Sequence, residues 1–179
     1  SNVTDMSFMF FKAGEFNQDI SSWNVSNVTT MRSMFEEAKK FNQDISSWNV
    51  SNVTDMSLMF FDARKFNKSL NNWERTDPTD TSTLNKVTNM FAMFAYAYDF
   101  NSDISEWDVS NVTNMGSMFA LAQRFNQDLS DWGDHFGTKA INTTDMFKNT
   151  LKLIANTSFS ITTANPSTDK TTWENYFKP

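Results

Sequence analysis

The chain has 179 residues, enough for one domain or a short repeat array, with no cysteine and a formal charge of −6. An acidic chain without a basic face argues against nucleic-acid binding, and missing cysteines exclude disulfide staples and thiolate metal sites. No apolar run approaches the ~20 residues of a membrane span, so direct insertion by this segment is excluded.

Aromatic residues dominate the apolar content, with 18 Phe and 6 Trp against only 4 Gly. The first recognisable segment, "SNVTDM" at Ser1–Met6, lies in the middle of a unit that later recurs complete, which suggests more repeats upstream. The fourteen residues FNQDISSWNVSNVT then occur at Phe16–Thr29 and again, unchanged, at Phe41–Thr54. Five tryptophans mark the repeat: Trp23, Trp48, Trp73, Trp107 and Trp132, in steps of 25, 25, 34 and 25 residues. Repetition of this kind is read before any other feature, because it fixes the architecture.

Within each unit two apolar patterns follow one another. Ile45, Trp48 and Val50 fit one face of a short extended strand. Val53, Met56, Met59, Phe60, Ala63 and Phe66 recur every three or four residues and predict a short helix, with Thr54 as N-cap and Asp55 in its first turn. Ala63 marks a place where neighbouring layers approach closely. Neither stripe can be buried by one unit alone, whereas stacked copies bury both. The expected fold is an α/β solenoid of short parallel strands and short helices, with Trp, Phe and Met in ladders. Asn, Asp and Ser at the corners would satisfy exposed backbone groups.

The long step contains a nine-residue insertion within 74–86, expected to protrude as a polar loop before the pattern resumes at Val87. Residues 1–132 thus form the repeat region, of about five units. Residues 133–179 comprise a degenerate last repeat around "DMFKNT" and a C-terminal cap, with Leu151, Leu153, Ile154, Phe159, Ile161, Trp173 and Phe177 as sealing residues.

The I-x-x-W-x-V spacing resembles the strand of leucine-rich repeats. The whole unit FNQDISSWNVSNVTDMSLMFFDA is similar to the 25/26-residue repeat of BspA-like surface proteins, as in mycoplasma and Listeria surface lipoproteins. The resemblance covers Ser1 to about Trp132. It implies a leucine-rich-repeat-like solenoid, an extracellular or cell-surface location and a role in adhesion or protein binding, with no catalytic residues to carry over.

The residues give catalysis little support. The lone histidine, His135, sits in "GDHFG" as a loop residue would, and no nucleophile elbow, phosphate loop or metal-ligand spacing occurs. No cofactor is expected. Asp19, Asp44, Asp103 and Asp128 hold one repeat position and are the only candidates for a hard cation. The competing and preferred reading is that each carboxylate accepts backbone N–H groups in its own corner, since Ser69 interrupts the column. The Asn-Val-Ser and Asn-Val-Thr sequons fall out of the repeat itself.

Positions that the repeat leaves variable are more informative. Phe8, Phe11, Leu58, Phe61, Phe91, Tyr96, Tyr98 and Leu121 are apolar where the pattern does not require it, and a run of such residues can mark an interface. The alternative is a wider core. The functional expectation is a non-enzymatic scaffold that binds a protein partner. A structural subunit, self-assembling into a fibre, shell or appendage, is the alternative.

Overall fold

The computed structural model describes residues 2–73, 84–132 and 141–150. Successive units stack in register. Asp5, Thr30, Asp55, Asn89, Asn114 and Asn142, one from each unit, are joined by five parallel bridges. The expected α/β solenoid is not what forms: among the described residues there is neither an α-helix nor a strand. The only helical elements are single 3-10 turns at Asn71–Trp73 and Leu84–Lys86. Each coil is a chain of tight turns.

Backbone hydrogen bonding explains why the helical stripe does not make a helix. In the first coil the amides of Met9, Phe11 and Ala13 close turns onto Met6, Phe8 and Phe10, three residues back. The intervening amides of Met6, Phe8, Phe10 and Lys12 donate instead to Thr30, Arg32, Met34 and Glu36 of the next coil. Alternate amides thus serve the turn and the stack, leaving no i→i−4 ladder. The same alternation recurs at Met56–Ala63, where a helix was expected.

This backbone path needs a left-handed residue twice per coil. Phe8, Ser33, Leu58, Ala92, Ser117 and Asp145 share one such position, with φ between 51° and 61°. Lys12, Glu37, Asp62, Tyr96, Leu121 and Asn149 share the other. None is glycine, so each carries a steric penalty of about 1–2 kcal/mol. Packing compensates for it.

The expected strand fails for a related reason. The amides of Trp48 and Val53 close turns onto Ile45 and Val50. Asp44 and Asn49 each draw an amide two residues ahead onto their side chains, from Ser46 and Ser51. Asp55 does the same to Ser57, forming a turn rather than opening a helix. Short polar side chains that compete for the backbone in this way bend it before a ladder can run.

The apolar expectation holds where the secondary structure does not. Phe35, Phe60, Phe94, Phe119 and Phe147 stack at centroid separations of 5.5–5.8 Å. A second ladder, Phe41, Phe66, Phe100 and Phe125, runs beside it at 5.8–6.2 Å. Trp73, Trp107 and Trp132 stack likewise, and Ala38, Ala63, Ala97 and Ala122 are fully buried. The indole N–H groups of Trp48, Trp73, Trp107 and Trp132 donate to carbonyls of the preceding coil. Asparagine side chains form their own ladder, with Asn17, Asn42, Asn67 and Asn101 each accepting the amide of the next coil's asparagine.

The insertion keeps its nine residues but falls in a narrower window than 74–86. Leu84 is fully buried, at the position held by Val25, Val50 and Val109, so the repeat resumes at Leu84 rather than Val87. Of the loop expected within 74–86, residues 74–83 lie outside the described residues, as do His135 and the sealing residues of the proposed cap, which all fall within 151–179. Residues 141–150 stack as a further coil, in which Thr150 takes the alanine position and donates its hydroxyl to the Phe119 carbonyl.

Candidate functional site

The acidic column is engaged locally. Asp19, Asp44, Asp103 and Asp128 each accept the backbone amide two residues ahead, from Ser21, Ser46, Ser105 and Ser130, at 2.9 Å. At the break, the Ser69 hydroxyl accepts the Asn71 amide at 3.4 Å. No group of three or more acidic or histidine side chains converges among the described residues.

These turns tune the carboxylates. The Ser21 amide, with help from the Ser21 hydroxyl, holds the Asp19 carboxyl below its ordinary value of 3.8. Ser46 does the same for Asp44, assisted slightly by Lys68 and opposed slightly by Asp19. For Asp5 the Ser7 hydroxyl leads, followed by the Ser7 amide. A carboxyl depressed in the folded state stabilises above its unfolded value and loses that contribution as pH falls through the folded one. Stability is therefore expected to be level near neutrality and to fall as pH drops below 3.8. Urea midpoints across an acid titration check this, and Asp44→Asn should shallow the decline.

The apolar candidates divide into two groups. Phe8 and Phe11 belong to the first coil, meet edge-to-face at 5.8 Å and lie under Arg32 and Lys12 respectively. Coil two then places Ser33 and Glu36 at the positions of Phe8 and Phe11, flanked by Arg32 and Glu37. Leu58, Phe61, Phe91, Tyr96, Tyr98 and Leu121 gather on the next three coils. They do not fall on one line, because they occupy several different repeat positions.

Sequence reading missed the floor of this second group. Ala92, Ala95 and Ala120 form a small cluster separate from the main core, and the half-buried Leu58 and Phe61 pack onto it. Alanine at these outward positions was the available signal. Phe61 also meets Tyr96 at 5.2 Å, and Tyr96 meets Tyr98 at 6.4 Å. Phe91 lies over Gly116, where an added Cβ would come within 3.3 Å of its ring and 3.1 Å of the Asn142 amide nitrogen. Phe91 and Tyr96 remain 38% and 37% exposed, while Leu58, Phe61, Tyr98 and Leu121 are half-buried.

Charges at the rim form ion pairs in which two cations face each carboxylate: Lys39 and Arg64 on Asp62, and Lys65 and Arg124 on Asp99. Arg64 forks onto the buried Asp62 at 2.7 and 3.2 Å and covers the Tyr98 ring at 5.4 Å. Asp62 raises the pKa of the Arg64 guanidinium further. Lys65 and Arg124 both approach Asp99, at 2.9 and 3.3 Å. The rim therefore carries a small positive excess.

Recurring coils, shared turn positions and side-chain ladders define the class: this is a repeat protein. More specifically, the chain belongs to the family described as "Mycoplasma protein of unknown function, DUF285", whose model matches residues 1–84 and again 77–175. No curated protein and no solved structure matches the chain.

Proposed function

We propose that this chain is a non-enzymatic scaffold of the BspA-like kind, part of a surface or extracellular protein. It binds the apolar surface of a protein partner through the patch centred on Phe91 and Tyr96. One observation carries the reading: the fold does not need apolar side chains at these two positions. Arg32 takes the place of Phe91, and Glu37 that of Tyr96, in a coil of the same backbone path. Large rings left over a third exposed, Phe91 over Gly116 and Tyr96 against the Phe61 that packs on the alanine cluster, suit the aromatic anchors on which protein interfaces depend.

The double substitution Phe91→Ser/Tyr96→Ser tests it. Each exposed change should alter stability by less than about 1 kcal/mol. Adhesion of the parent protein to its target surface should fall at least tenfold, measured beside melting curves. A stable double variant that adheres normally removes the patch. A Phe61→Ser variant serves as contrast, because the half-buried Phe61 ring helps to hold the alanine cluster and its loss should show in the melting curve as well.

A further inference from the structure

The face of the first coil turned away from the second is one half of an interface that recurs inside the chain. Trp23 is 38% exposed and Met9 45%, while their counterparts Trp48 and Met34 are 3% and 0% exposed. Phe10 and Phe16 are half-buried, although every equivalent ring beyond them is fully enclosed. In later coils each of these side chains is covered by the coil before it.

The polar groups on this face carry a direction. The carbonyls of Thr30, Arg32, Met34 and Glu36 accept amides from the preceding coil, and the equivalents here are the carbonyls of Asp5, Ser7, Met9 and Phe11. No described residue donates to those four. Conversely, the amides of Thr29, Thr54 and Thr113 and the indole N–H groups of the buried tryptophans donate backward. The Thr4 amide and the Trp23 indole are the matching donors, and no described residue accepts from them.

We propose that this face is a docking edge for a further coil of the same repeat, seated head-to-tail in parallel register. The polarity rejects the obvious alternative. Two copies meeting face to face would set one row of carbonyls against another, leaving each unsatisfied in an apolar contact. An incoming coil oriented like those in the stack instead offers alternate amides to the four carbonyls. Its own carbonyls receive the Thr4 amide and the Trp23 indole. This edge is separate from the Phe91–Tyr96 patch and does not depend on that reading.

A graft tests the proposal. Ser1–Thr4 repeats Ser51–Thr54 letter for letter, so the sequence of Asn27–Val50 can be placed directly ahead of Ser1 in the full chain. The expected result is that exchange of the Thr4 amide and the Trp23 indole proton slows at least ~100-fold, as for groups newly enclosed in a cooperative unit. Met9→Asp in the grafted chain should restore fast exchange at both sites, while amides of the central coils, such as Met90, stay protected. Two outcomes overturn the proposal: exchange at both sites unchanged by the graft, or protection that survives Met9→Asp. It is equally overturned if the ungrafted chain forms a dimer that protects Trp23 and is broken by Met9→Asp, since that would be the face-to-face pairing excluded above.

Discussion

Trp107→Ala lowers the unfolding free energy by about 3–5 kcal/mol, and Trp23→Ala by much less, although both tryptophans occupy the same repeat position. Trp107 is fully buried, stacked between Trp73 at 6.1 Å and Trp132 at 6.5 Å, and donates its indole N–H to the Leu70 carbonyl. Truncation opens a cavity between two coils and removes that donor. Because stability in a stack is shared between neighbours, the loss should spread in both directions along it. Trp23 keeps more than a third of its surface in water, and its indole has no acceptor among the described residues. Denaturant unfolding of the two variants side by side measures the contrast. Equal losses would mean that the first coil is as well covered as the fourth.

Ala92→Val is expected to cost about 2–4 kcal/mol, a large effect for two methyl groups. Ala92 is buried with φ of 51°, and a β-branched side chain is strongly disfavoured in the left-handed region. The added volume must also fit between Leu58, Phe61 and the neighbouring alanines. Lys12→Gly gives the complementary result. At this exposed position with φ of 60°, glycine removes the steric penalty and should raise stability by up to about 1 kcal/mol. In an α-helix the same change would cost about 0.8 kcal/mol. The sign of that one measurement distinguishes the turn chain from the helix that the sequence stripe suggests.

The two halves of the repeat show why periodicity misleads here. Met56, Met59, Phe60, Ala63 and Phe66 do share one buried face, as the three-to-four spacing requires. Turns closed every three residues bring the same positions inward as a helix does, so the spacing identifies the buried set but not the backbone that buries it. Hydrogen bonds to the next coil decide between them. Those bonds join residues 24 to 33 positions apart, beyond any local window. The strand reading fails similarly, because the turns drawn by Asp44 and Asn49 come too close together for a strand to form between them, while Asp55, expected in the first turn of a helix, closes a turn of its own.

At the candidate site the sequence located the apolar residues but not their relation. Phe8, Phe11, Phe61 and Tyr96 look equivalent on paper. The stack separates the first two from the rest by a coil of Arg32, Glu36 and Glu37, and it sinks Phe61 onto Ala92 and Ala95 while Tyr96 stays exposed.

By itself, then, the sequence determined the unit length, the register, the inward Trp, Phe, Met and Ala positions and the local role of the aspartates. Each of these depends on side-chain type at fixed spacing, and an exact repeat makes that spacing unmistakable. Only the tertiary structure decided the turn-chain backbone, its paired left-handed residues, the alanine-floored patch and the directional edge at Asp5. These arise where one coil lies against another, and whether an amide serves its own turn or the neighbouring coil is settled by that contact.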